Sequence, residues 1–203
     1  MRLFVALGLP QQAAGYIRQV QSHLQQKISA ARWQPLDNLH LTLHFLGETD
    51  EQLIPSICAD MDLVGSLIRP FTLRIGQLGA FFHKGSPRVL WLGVNGEMQP
   101  LLQAHQLLGK RLAQHELLQI DKRAYHPHIT LARNPQVPAG ALPLEQWNRE
   151  CLADQPPHWQ VQNIRLYHSR LRPQGAEYTV LHTAAFAKKS ESGSDDLSIN
   201  QEC

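Results

Sequence analysis

The strongest restriction on how this chain folds is an echo between two of its stretches. RLFVALGL, from Arg2 to Leu9, is a short apolar run of strand character. Pro10 then opens a pattern in which Ala13, Ile17, Val20, Leu24 and Ile28 recur at spacings of three and four, the period of one helix face. A second strand follows in LHLTLHFLG, Leu39 to Gly47. The same order returns later: RVLWLGV (Arg88 to Val94), then Pro100 with Leu101, His105, Leu108 and Leu112, then HPHITLAR (His126 to Arg133). Phe4 and His40 are 36 positions apart, Leu90 and His128 38. Two strand–helix–strand units of nearly equal size predict a duplicated, layered architecture with a pseudo-twofold relation.

Further elements fill the intervals. Thr49-Asp50-Glu51-Gln52 has the form of a capping box, with Pro55 as the alternative helix start. Phe71 to Leu78 reads as a strand and Leu144 to Leu152 as a short helix. Val161 to Leu171 and Tyr178 to Phe186 read as strands joined by a turn at Pro173-Gln174-Gly175. From Lys188 onward the chain is polar and Gly/Ser-rich without apolar period, so residues 188–203 are expected to form a disordered tail on a domain of residues 1–187.

Composition narrows the function classes. The net charge is +2, and +4 over residues 1–187, too weak a bias for a protein that coats long nucleic acid. Cys58, Cys151 and Cys203 are widely spaced and form no CxxC, which argues against a disulfide framework or thiolate zinc site and for a reducing compartment. No apolar run approaches a membrane span, and the opening residues lack the layout of a signal peptide. The expectation is a cytoplasmic protein with no membrane and no obligate protein partner.

The chemistry sits in the two echoing strands. Alternation puts Leu39, Leu41, Leu43 and Phe45 on one face and His40, Thr42 and His44 on the other. Around the second site His126, His128 and Thr130 share a face, with Ile129 and Leu131 behind them. Eleven His and six Thr placed at random would give about 0.3 His-x-Thr pairs; there are two, at matching places in the two units. A pseudo-twofold would bring these faces together across a cleft. Two imidazoles, each able to hold or release a proton near neutrality, then suit one acid and one base at a single phosphorus, with a threonine hydroxyl beside each to hold a phosphoryl oxygen. Arg133 is a candidate for phosphate contact, but strict alternation from His128 places it on the opposite face. A bulge, or the strand end near Asn134-Pro135, has to re-aim it. His44 and His126 read as neutral neighbours or rim, and Phe81-Phe82 as a base-stacking edge or a plain hydrophobic strand end.

HLTLHFLG at His40 and HPHITLAR at His128 closely resemble the paired HxTx signatures of the two-histidine phosphoesterase superfamily. The best match is its branch of RNA 2′,3′-cyclic phosphodiesterases, also called 2′-5′ RNA ligases, and RLFVAL at the start is similar to that branch too. The resemblance implies a bilobal α+β fold with mostly antiparallel sheets lining a central cleft and helices outside. It implies hydrolysis of a terminal RNA 2′,3′-cyclic phosphate, or of small cyclic nucleotides, to a 2′-phosphate, with no metal and no cofactor. On that likeness His40 donates a proton to the leaving 3′ oxygen, His128 activates water, and Thr42 and Thr130 hold phosphate oxygens. Reversible 2′-5′ joining would use the same groups without ATP, since no GxxxxGK[ST] loop is present. Two other readings compete: a metal site built from His40, His44, His126 and His128, and a cleft that binds a nucleotide or RNA end without turnover.

Overall fold

The computed structural model describes residues 1–187 except 29, 119, 122, 137–142 and 174, so the tail expected from Lys188 and one residue of the turn at Pro173-Gln174-Gly175 lie outside the described residues. Among the described residues nine strands and four helices follow one another along the chain. In the first half they are β1 (Arg2–Gly8), α1 (Gln11–Gln25), β2 (Ala30–Trp33), β3 (His40–Glu48) and α2 (Ile54–Leu67). The middle holds β4 (Phe71–His83), β5 (Ser86–Gly96), α3 (Met98–Leu112) and β6 (His128–Gln136). The last are α4 (Leu144–Cys151), β7 (His158–Val161), β8 (Asn163–Arg172) and β9 (Gly175–Ala185).

All the strands join one sheet in the order β7-β4-β5-β6-β3-β1-β8-β9, with β2 paired to β6 off that path. The order shows the duplication directly: reading outward from the β6–β3 junction, each wing has its motif strand, the strand that opens its unit, and two more strands, β4 and β7 on one side, β8 and β9 on the other. Every pairing is antiparallel. The seam between the wings is thin, with Leu41 opposite Ile129 the one residue pair between β3 and β6 among the described residues. Val161 ends a strand on the outer edge of one wing and Asn163 begins a strand in the other. The sheet therefore curls, and the single strand read over Val161 to Leu171 is in fact two, divided at Gln162.

The helices cover one face. Ala13, Ile17, Val20 and Leu24 of α1 and Leu101, Leu108 and Leu112 of α3 are buried, as their spacing predicts; Ala104 is buried in α3 where the spacing points to His105, and His105 is half-buried. The buried side chains join Leu3, Val5, Leu7, Leu41, Leu90, Leu92, Ile129 and Leu131 in one core. Each such aliphatic side chain taken out of water contributes about 1.5–3 kcal/mol, which fixes which face of each strand can look outward. Pro10 precedes α1 as its N-cap residue, and Pro55 sits in the first turn of α2, where the missing N–H costs nothing. Asp50, not Thr49, caps that region: its Oδ1 accepts the Gln52 backbone N–H at 2.9 Å. The hairpin between β4 and β5 turns on Lys84-Gly85, with φ of 49° and 77°; the second position suits the glycine that occupies it.

Candidate active site

Both motif strands carry the same irregularity. In β3 the register against β1 runs from Thr42↔Ala6 to His44↔Val5, skipping Leu43. In β6 the register against β5 runs from Thr130↔Trp91 to Ala132↔Leu90, skipping Leu131. Each skip is a bulge that moves later residues to the other face. The first six residues of each strand accordingly show one pattern of burial: half-exposed, buried, half-exposed, buried, buried, exposed.

This overturns one expectation of strict alternation and resolves another. Arg133 follows the bulge and lines the cleft with His128 and Thr130. His44, expected beside His40 and Thr42, is 5% exposed and packs toward α3. There its Nε2–H donates to the His105 carbonyl oxygen at 2.8 Å, and its ring stacks on His105 at 4.2 Å. Gly109 leaves the room, since a Cβ at that position would lie 2.9 Å from His44 Cε1. His105 in turn stacks on Tyr125 at 3.8 Å, and the Tyr125 hydroxyl donates to the Thr42 carbonyl oxygen at 3.0 Å. Burial holds the His44 imidazole below its ordinary pKa, and burial followed by the charge of His44 lowers His105 to about 4. The four histidines weighed as metal ligands therefore do not converge. Among the described residues no group of three His, Cys, Asp or Glu is placed to hold a metal ion.

His40 and His128 are held alike. The Nδ1–H of His40 donates to the Asn38 carbonyl oxygen at 2.7 Å, and that of His128 to the His126 carbonyl oxygen at 2.7 Å. A carbonyl oxygen only accepts, so each contact keeps the proton on Nδ1 and leaves Nε2 as the nitrogen able to take or give one. The antiparallel register around Leu41 and Ile129 sets His40 across from Thr130, and Thr42 across from His128. Each imidazole thus has the other wing's threonine beside it. Among the described residues neither threonine hydroxyl has a protein partner, and both line a cleft of about 520 Å³ together with the two histidines, Arg133 and Tyr178.

Aromatic rings grip the imidazoles from both wings. His40 lies 4.8 Å from Phe4 and edge-on to Tyr178 at 5.4 Å. His128 meets Phe81 edge-on at 4.9 Å and Trp91 at 6.1 Å. The Trp91 ring lies over Gly79 of β4, where a Cβ would come within 2.1 Å of it. Phe81 lines the cleft, whereas Phe82 is 54% exposed and does not.

The electrostatics push one way. Burial lowers the His40 pKa to about 4; the Asn38 carbonyl opposes this, and the positive charges of Arg133 and His128 add to it. Burial also lowers His128, against the pull of the His126 carbonyl and with help from the His126 and Arg133 charges. At neutral pH the cleft by itself holds two neutral imidazoles beside a guanidinium. Such a site favours an anion, which relieves Arg133 and draws a proton onto one ring.

Sequence patterning missed several groups around the cleft: Tyr125, His105 and Tyr178, which line it, and Phe4, which packs behind His40. The first two sit in a loop and on a helix whose distance from the motifs in sequence carries no signal. Tyr178 belongs to a read strand, but nothing local assigns it to His40.

A sequence profile described as the 2′-5′ RNA ligase superfamily matches residues 9–172. The chain belongs to that superfamily. It is 30% identical over 188 residues to an RNA 2′,3′-cyclic phosphodiesterase of Thermotoga maritima, covering 92% of this chain and 96% of that one. It is 33% identical over 203 residues to one of Thermus thermophilus, covering 95% and 93%. A crystal structure of a Thermus thermophilus protein superposes with a TM-score of 0.77 at 30% identity, covering 92% of this chain and 98% of that one. The α+β superfamily fold with its doubled motif is thus the fold of this chain.

Proposed function

We propose that this protein is an RNA 2′,3′-cyclic phosphodiesterase, a phosphoric diester hydrolase that opens a terminal cyclic phosphate to a 2′-phosphate. The reading is carried by one observation: two imidazoles, each anchored through Nδ1, present Nε2 to one cleft, each beside the other wing's threonine. In the reaction His128 Nε2 takes a proton from water as its oxygen attacks phosphorus. The P–O3′ bond breaks, and His40 Nε2 gives its proton to the departing O3′. Thr42, Thr130 and Arg133 hold the non-bridging oxygens and offset the charge that builds on them. The bound anion completes the electrostatics: it raises the His40 pKa so that the ring enters the reaction protonated. The names of the Thermotoga and Thermus relatives support this substrate class.

The working unit is residues 1–187, with both wings contributing to one cleft. The same groups, run in reverse with an RNA 5′-hydroxyl in place of water, would make a 2′-5′ linkage without ATP. Proton transfer by the two histidines needs neither metal nor cofactor, and activity is expected to survive exhaustive chelation. Among the described residues no helix is long and apolar enough to cross a membrane, and we place the enzyme in the cytoplasm with RNA ends as its partner.

The test is the product isomer from an oligoribonucleotide ending in a 2′,3′-cyclic phosphate. A 2′-phosphate is expected. A 3′-phosphate would reverse the leaving oxygen and the histidine roles, and an unchanged substrate would leave the cleft a binding module.

A further inference from the structure

We propose that a second cavity, at the outer end of β1, β3 and β8, is a binding site for the RNA backbone upstream of the cyclic phosphate, so that the preferred substrate is an RNA chain rather than a cyclic mononucleotide. This rests on the phosphodiesterase reading above and goes beyond it by assigning a new site and a substrate length.

The cavity measures about 400 Å³ and is lined in part by Arg2, Glu48, His168, Arg170 and Arg172. Three guanidiniums line it with one carboxylate, Glu48, whose ion-pair partner is the Met1 ammonium at 3.9 Å. Arg172 Nε is 3.1 Å from Glu177, but among the described residues Arg2 and Arg170 have no carboxylate within 4.0 Å. Two unpaired guanidiniums in one concavity form a fork-shaped donor set suited to phosphodiester oxygens.

The register connects this cavity to the cleft. Phe4 touches His40, so it marks the cleft face of β1, and it pairs with Phe45, which lines the cleft and is 51% exposed. Two residues from Phe4 on the same face is Arg2. The pairing skips Leu46, which brings Glu48 into step opposite Arg2. Phe45 on the edge of one cavity and Glu48 on the edge of the other are thus less than about 10 Å apart along one strand. A ribonucleotide leaving the catalytic histidines over Phe45 meets Arg2 next. Phe4 pairs with Tyr167, so Ser169 shares the Arg2 face, and Arg170 and Arg172 reach the same cavity from the other face, at the notch where β1 begins. None of these three arginines lines the cleft that holds His40 and His128.

The experiment compares two substrates with the wild type and the Arg2→Gln/Arg170→Gln double variant: a nucleoside 2′,3′-cyclic monophosphate and an oligoribonucleotide of about ten residues with the same end. The wild type is expected to favour the oligonucleotide in kcat/KM. In the variant, kcat/KM on the mononucleotide should stay within about twofold, while on the oligonucleotide it should fall at least about tenfold, through KM. The slope of log(1/KM) against log salt for the oligonucleotide should also become shallower by about 1 to 2, the loss of two phosphate contacts on a single strand. Equal loss on both substrates, or no loss on the oligonucleotide in a variant of unchanged Tm, overturns the proposal. A wild type active on the mononucleotide that gains nothing from the chain does so too. A wild type inactive on both substrates fails the phosphodiesterase reading instead.

Discussion

Leu41 lies opposite Ile129, and that one pair of buried aliphatic residues aligns the two His-x-Thr strands across the seam. Both side chains point into the helix-covered core. Their neighbours on either side, His40 and Thr42 on one strand and His128 and Thr130 on the other, are thereby turned together into the cleft. The hydrophobic effect has no directionality of its own, but burying the alternate residue of each strand aims the residues between.

His40→Ala and His128→Ala should each lower turnover of a cyclic-phosphate substrate by at least about 10²-fold. Either change trims a ring packed on aromatic side chains, so thermal unfolding should be followed alongside kinetics. A near-wild-type rate in either variant would remove that residue from the reaction.

The pH dependence of the free and bound enzyme should differ. Both imidazoles titrate below their ordinary range in the free enzyme, His40 at about 4, so the bell in kcat/KM is expected on the acid side of 6.5. An anion between the rings raises both, and the bell in kcat should lie at higher pH. Coincident profiles, or the reverse order, would contradict the electrostatic account.

Arg133 lowers the pKa of both histidines and lines the cleft with them. Arg133→Ala should reduce kcat/KM by about 10- to 100-fold and move its pH profile toward alkali, since a repelling charge is gone. Arg133→Lys should restore the position of the profile better than the rate, because an ammonium keeps the charge without the planar fork.

Gly79→Ala should destabilise the protein by about 1–3 kcal/mol, the cost of forcing a methyl against the indole of Trp91. Displaced, Trp91 would loosen its contacts with His126 and His128, so kcat should fall with little change in KM. The same substitution at Gly15, where a Cβ meets nothing within 4 Å, should leave activity untouched and serves as the control.

Stability should fall on acidification before the carboxylates titrate. His40 and His105 both have folded pKa values of about 4, below the 6.5 of the unfolded chain. Between those limits the unfolded state binds more protons, so stability is fully present above about 6.5 and is lost as the pH drops toward 4. Melting temperatures measured across that window should decline, and His105→Asn should flatten the slope. An unchanged slope would mean that His105 is not buried as a neutral ring.

Much of this could be read from local pattern. His40, Thr42, His128 and Thr130 were legible because a strand repeats every two residues whatever it pairs with, and α1 and α3 because apolar spacing of three and four describes a helix before it docks. The short strand Ala30–Trp33 carries no such period over its four residues; it exists because β6 accepts it along the edge that β3 has left. Gln162 likewise has no local mark as a break, since the break is imposed by two strands at different places in the sheet.

The line between the two kinds of knowledge runs through the bulges. Alternation in the chain put an imidazole and a hydroxyl on the open side of each motif strand, and duplication paired them. Whether Arg133 joined them and whether His44 turned inward to stack on His105 was settled by Leu43 and Leu131, each of which β1 or β5 passes over in pairing. A bulge is a property of two strands in register, so it has no counterpart in either sequence alone. The lowered pKa values belong to the same level: burial, a guanidinium and a facing ring act through space, and they meet at His40 only once the wings have closed on the seam.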